Sequence, residues 1–314
     1  MLRSMSRWTL LAFALLASLA QAQGCRNRFV VFGDSLSDPG NFYRATGITS
    51  KAPFALIPGA PYEIGGHHFS NGRTWAEQLA DQLGSHGSGA AALLNPGQFT
   101  NYAVGGARAR PGASPTPYDL TAEVSLFLTN FGGQACSNAT YVVWIGGDDL
   151  RDALEALPQG GQAAAGLIIN QAVNSIANNI ASLWSAGARN FLILDAPDVS
   201  NAPAVRAAGP AAIGAGAQLS SAFNLGLGEV IVGLQQALPQ IKITRFDDNA
   251  LVDAIIATPA GFGLSDVRDT CLSFGVVANA VCQSPETFLF WDGIHPTTAG
   301  HGIVAGAIRA SDFR

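Results

Sequence analysis

The chain has 314 residues, 48% of them hydrophobic and only 12% charged. Such a composition excludes an intrinsically disordered chain and supports a large buried core, enough for one large α/β domain or two small ones. The formal net charge is −5, Lys51 and Lys242 are the only lysines, and no basic cluster occurs, which argues against nucleic acid as a partner.

The first feature in chain order is an export signal. Arg3 and Arg7 precede an almost wholly apolar run from Trp8 to Ala20, and Ala20-Gln21-Ala22 has the small-x-small form of a cleavage site. Residues 1–22 therefore read as a signal peptide too short to span a bilayer stably. The remainder, 23–314, reads as a single domain destined for the periplasm or the exterior. Ala22-Gln23-Gly24 lacks the aliphatic residue that a lipidation site at Cys25 would need.

Five short apolar runs then read as strands: 28–33, 99–104, 141–146, 190–195 and 241–246. They are rich in Val, Ile and Phe and mostly continuous, as strands covered on both faces are. Helical patterns fall between them at 74–83, 118–130, 162–186 and 216–238. Strands alternating with helices predict a parallel sheet with right-handed crossovers. Two stretches read as irregular loops, 107–117 and 258–287. Cys271 and Cys282 share the second, which predicts a local bridge. Cys25 and Cys136 each lie shortly before a strand, so parallel neighbouring strands would bring them to one end of the sheet, and a second bridge is expected there.

In an open parallel sheet, ligands bind beyond the carboxyl ends of the strands. Ser35 stands just past the first strand, in Gly33-Asp34-Ser35-Leu36-Ser37-Asp38. A serine there can be a simple turn residue. The second run ends at Gly105-Gly106 and the third at Gly146-Gly147-Asp148-Asp149. Near the end of the chain, Asp292 and His295 are three residues apart in Phe290-Trp291-Asp292-Gly293-Ile294-His295-Pro296. A carboxylate so spaced can hold imidazole Nδ1 and leave Nε2 free to take a proton from a serine. Alone, such a pair is a weak signal and reads more readily as structural than as catalytic.

Taken in order, these blocks resemble the GDSL or SGNH hydrolase family over most of the mature chain. The resemblance extends to Phe69-Ser70-Asn71-Gly72-Arg73-Thr74-Trp75, similar to the lead-in to the family's first long helix, and to Asn101-Tyr102-Ala103-Val104-Gly105-Gly106-Ala107, similar to its second block. It implies a three-layer α/β/α sandwich of flavodoxin-like type, with a central five-stranded parallel sheet in the order 2-1-3-4-5. It also implies Ser35 as nucleophile, Asp292 and His295 as its acid and base, and an oxyanion site from Ser35, Gly106 and the third block. There the family pattern calls for Asn where this chain has Asp148. An ionised carboxylate only accepts hydrogen bonds, and losing one oxyanion donor costs on the order of 10²–10³ in turnover. Asp148 is open to three readings: an engineered change, a natural residue kept protonated so that it donates, or a position the two backbone amides make dispensable.

The resemblance implies a serine esterase that uses no cofactor or metal. Its substrates would be carboxylic esters, with short-chain acyl or choline-type esters first. A phospholipase, lysophospholipase or acyltransferase is the alternative, and a binding protein on a decayed hydrolase fold is the rival of another class. Partners would be a small-molecule or lipid ester and a transient membrane surface, with no stable protein partner. Asp34, Asp38 and Asp149 read as braces of their turns, Trp144 and His301 as structural residues, and Arg108, Arg110, His67 and His68 as solvated side chains.

Overall fold

The apolar runs of the sequence become a parallel sheet. In the computed structural model, which describes residues 29–311, β1 (Phe29–Gly33) leads through α1 (Asn41–Thr46), α2 (Trp75–Gln82), the short α3 (His86–Gly89) and α4 (Leu120–Asn130) to β2 (Thr140–Trp144). Next come α5 (Gly147–Ser185), β3 (Asn190–Leu194), α6 (Pro203–Ala207), α7 (Pro210–Ala237) and β4 (Lys242–Phe246). The order closes with α8 (Asp248–Ala257), β5 (Asp266–Thr270), β6 (Phe288–Phe290) and α9 (Thr298–Ala310). Strands β1 to β4 pair in parallel in that spatial order.

Side chains of β1 alternate between two cores, as strand geometry requires. Val30 and Phe32 join Phe127, Ile176 and Phe223 from α4, α5 and α7. Phe29 and Val31 join Trp75, Leu79 and Ile308 from α2 and α9. Helices thus cover both faces of the sheet in three layers. Their starts are written in the sequence. Thr74 and Glu77 form a capping box at α2, the Asp119 carboxylate accepts from Ala122 N at α4, and Thr297 Oγ1 accepts from Gly300 N at α9.

Three expectations need correction. The segment 99–104 lies beside β1, on the outer side that the order 2-1-3-4-5 gives it, yet it is not a full strand, so the sheet has four strands and one bridged segment. Val31 N donates to Thr100 O, Tyr102 N to Val31 O and Val104 N to Gly33 O, as a parallel ladder would. The rung that Gly33 N should supply goes instead to Oε2 of the buried Glu123, 2.9 Å away. Second, the helix expected over 162–186 starts much earlier, at Gly147. Pro158 lies inside α5, and Gly161 has the non-helical φ of 62° and ψ of −164° at a kink. Third, 258–287 is not wholly irregular. Its strand β5 pairs in parallel with β6, and Cys271 and Cys282 form the expected disulfide. The signal peptide expected over 1–22 and Cys25, the expected partner of Cys136, lie outside the described residues.

Candidate active site

β1 delivers Ser35 to the carboxyl edge of the sheet. A Cβ on Gly33 would sit 2.3 Å from the carbonyl oxygen of Trp144, so the strand can close on β2 here only with glycine. The chain then turns: Leu36 N donates to Asp34 Oδ1 at 3.0 Å and Ser37 N to Asp34 O at 3.1 Å. Asp38 is fully enclosed, and its carboxylate accepts the backbone amides of Gly40, Asn41, Phe42 and Gly105. Burial pushes Asp34 up to about 7, helped by the Asp148 carboxylate. Burial also pushes Asp38 up to about 6, against the four amides that pull it down.

The opposite side of the site comes from the turn between β6 and α9. Asp292 Oδ1 accepts Ile294 N and His295 N, each at 2.8 Å, and Asp292 Oδ2 lies 2.8 Å from His295 Nδ1. His295 Nε2 lies 2.8 Å from Ser35 Oγ. Three residues far apart in sequence thus form one continuous chain of hydrogen bonds. A second donor to Asp292 Oδ2 is the phenol of Tyr62, at 2.8 Å. Burial and the adjacent carboxylate raise the Tyr62 phenol far above its ordinary range, so it remains a donor. The Phe69 ring packs 5.3 Å from the imidazole of His295. Its own segment clamps the start of α9: Ser70 Oγ donates to Pro296 O and Asn71 Oδ1 accepts Thr298 N.

Gly105 and Gly106 do different jobs. Gly105 N is held by Asp38, and a Cβ on Gly105 would lie 2.0 Å from Phe69, inside its ring's van der Waals envelope. Gly106 has φ of 76°, in the left-handed region that favours glycine. Among the described residues, neither Gly106 N nor Ser35 N has a hydrogen-bond partner. Asp148 lies in the first turn of α5, where an acid is stabilised by the helix dipole. Its Oδ1 is 2.8 Å from Arg151 Nη2 and 3.7 Å from Arg108 Nη1.

The Ser35 hydroxyl opens into a cavity of about 550 Å³. Leu154, Leu157 and Pro158 of α5 and Val205, Ala211 and Ala215 of α6 and α7 line one part of it. Asp34, Asp148, Arg151 and His295 line the part next to Ser35.

The profile of the family described as GDSL-like lipase/acylhydrolase matches residues 29–308. The chain belongs to this family of hydrolases. Among the members it resembles, a thermolabile hemolysin of Vibrio parahaemolyticus is 27% identical over 89% of this chain, which spans 62% of the hemolysin's length. GDSL esterase/lipase 5 of Arabidopsis thaliana is 25% identical over 88% of this chain and 81% of its own. A phosphatidylcholine-sterol acyltransferase of Aeromonas hydrophila is 24% identical over 96% of this chain and 95% of its own.

In this GDSL hydrolase, several polar residues differ from their sequence reading. Arg108 is not solvated: it is 7% exposed, with Nη1 donating to Gly106 O and Nη2 to Asp152 Oδ1, each at 2.8 Å. Arg110 pairs with Asp149 and Asp152. Asp149 also accepts Ala109 N at 2.8 Å, bracing the loop after Gly106. His68 is buried, with Nδ1 on Gly65 O and Nε2 2.9 Å from Glu77. Tyr62 had no signal in sequence, because it lies 230 residues from the carboxylate it serves. Arg151 had one: it stands three residues after Asp148, the spacing of neighbours on a helix face.

Proposed function

We propose that this chain is an exported serine esterase working through Ser35, His295 and Asp292. The observation that carries the reading is the 2.8 Å approach of His295 Nε2 to Ser35 Oγ, with Nδ1 fixed by Asp292 at the same distance. With the Nδ1 proton donated to Asp292, Nε2 accepts the Ser35 proton as Oγ attacks the acyl carbonyl. The developing oxyanion takes the Ser35 and Gly106 backbone N–H groups. His295 returns its proton to the leaving alcohol, and water repeats the cycle to release the acid from the acyl-enzyme. Tyr62 is a positioning residue, holding the Asp292 oxygen that orients the imidazole.

The ion pair with Arg151 supports an ionised Asp148, which cannot donate to the oxyanion. In this reading Arg151, with Arg108 behind it, cancels the charge that would otherwise oppose the oxyanion, and the two amides act without a third donor. The apolar lining supplied by α5, α6 and α7 suits an acyl chain and favours a second reading, a lipid substrate cleaved or transferred as in a phospholipase or acyltransferase. Export rests on residues 1–22, and the Cys271–Cys282 disulfide fits an oxidising compartment.

Incubation with a fluorophosphonate, alongside turnover of p-nitrophenyl esters of graded chain length, tests the proposal. One label per chain on Ser35, absent in Ser35→Ala, together with ester turnover, is the expected result. A chain that takes no label and cleaves no ester is a binding protein on a hydrolase scaffold instead.

A further inference from the structure

The cavity beside Ser35 does not end in apolar wall. Besides His295 and Ile294, its lining includes Leu289 and Phe290 of β6, Gly300 and Val304 of α9, and Val252 and Ile255 of α8. Beside these apolar residues the lining holds Asp248, the first residue of α8, whose Oδ1, unlike that of Asp198 in the same lining, which accepts Ser200 N, has no hydrogen bond among the described residues. It is 2% exposed, and its Oδ1 is buried without any hydrogen-bond partner. Leaving a buried carboxyl oxygen unpaired costs on the order of 1–3 kcal/mol, and a Leu or Val would fill the same wall at no such cost.

Its surroundings explain neither its identity nor its isolation. The neighbouring helix cap is supplied by Asp247, whose carboxylate accepts Ala250 N at 2.9 Å. Asp195 is satisfied by Arg245, through Nε at 2.6 Å and Nη2 at 3.1 Å. Burial pushes Asp248 up to about 7, and the charges of Asp195 and Asp247 add to the shift. No cation pairs with Asp248 among the described residues. The cavity that Asp248 lines is the side from which a hydrogen-bond donor would reach its carboxyl group.

We infer that Asp248 is a specificity residue at the far end of the ester-binding cavity, accepting a hydrogen bond from a hydroxyl or amine carried at the end of the substrate chain remote from the ester. The inference rests on Ser35 being the ester-cleaving residue and extends that reading from esters in general to chains with a polar tip. Asp248 takes no part in the bond changes at Ser35. It rewards one substrate over its isostere, because a site built to pair a donor rejects the analogue that lacks it.

The test is a panel of p-nitrophenyl esters of graded length, each with a methyl, a hydroxyl or an ammonium terminus, run on the wild-type chain, Asp248→Asn and Asp248→Leu. The quantity read is the ratio of kcat/KM for the polar-tipped ester to that for the methyl-tipped isostere. At the length that reaches Asp248, the wild type should prefer a donor tip by about ten-fold or more, as a hydrogen bond to a charged or buried acceptor gives. The hydroxyl and ammonium arms tell which donor it takes. In Asp248→Leu the ratio should fall to one or below while methyl-tipped esters are still cleaved, and Asp248→Asn should lose the ammonium preference first. A ratio near one at every length in the wild type, or a preference that survives in Asp248→Leu, overturns the inference. Should no ester of any tip be cleaved, it is the esterase reading that fails.

Discussion

Replacing Arg151 by Gln leaves the Asp148 carboxylate uncompensated beside Ser35, with only Arg108 at 3.7 Å to answer it. An unanswered negative charge near a developing oxyanion raises the barrier, so Arg151→Gln should lower kcat by about ten-fold or more. In an Asp148→Asn background that charge is gone, and the same Arg151 substitution should cost much less. Measuring kcat for the four forms checks this: equal losses in both backgrounds would mean that Arg151 does not act through Asp148. Tyr62 gives a second prediction. Tyr62→Phe removes one of the hydrogen bonds to Asp292 Oδ2 and nothing else of its ring packing against Phe54 and Trp291. A bond to a charged group is worth roughly 1.5–3 kcal/mol. Turnover should fall by about ten-fold with KM little changed, because the substrate never meets Tyr62.

Elements meet at the site through loops whose shapes are fixed by small residues. Gly105→Ala places a methyl 2.0 Å from the Phe69 ring, which must then leave its position against His295. Overpacking of this kind costs about 1–3 kcal/mol. Its reading here is a loss of kcat together with a lowered Tm, seen by ester assay and thermal melting. Much at this scale was legible in the sequence. The strands announced themselves as Val/Ile/Phe runs because both sheet faces are buried, and the caps Thr74, Asp119 and Thr297 are local chemistry. Ser35, Asp292 and His295, which the fold brings within hydrogen-bond reach of one another, were singled out because their neighbours form short contiguous blocks. What escaped depends on distant residues. The outer segment 99–104 reads as a strand, but a side chain from α4 takes its rung. The first half of α5 was hidden because Pro158 and Gly161 interrupt its periodicity. The burial of Arg108 follows from Asp152, on a different element.

For the whole molecule, the buried acids set how stability varies with pH. Asp34 and Asp248 titrate near 7 and Asp38 near 6 in the folded chain, against about 3.9 when unfolded. Between these values the folded state holds more protons, so the stability these three acids contribute is full below about pH 4 and is lost as pH rises through 7. Buried His301, pushed down to about 3, works in the opposite sense below about 6.5, but Glu123, Asp149 and Asp195, also raised by burial, join the three acids against it. Urea melts from pH 4.5 to 8 should show a midpoint that declines as pH rises. Asp248→Asn should flatten that decline by about 1.4 kcal/mol per pH unit over its own window. A midpoint that climbs across this range would contradict the assignment. The carboxyl that displaces the outer strand's rung has a further effect on the molecule. Glu123 Oε2 takes Gly33 N while Oε1 takes Val104 N, and these amides stand two residues before Ser35 and Gly106 respectively. In the proposed mechanism, the gap between the two oxyanion-binding N–H groups is therefore gauged by the span of a single carboxyl group. Glu123→Gln would turn an amide NH2 toward one of those backbone donors, force the two loops apart, and widen the seat for a carbonyl oxygen without touching any residue that contacts it.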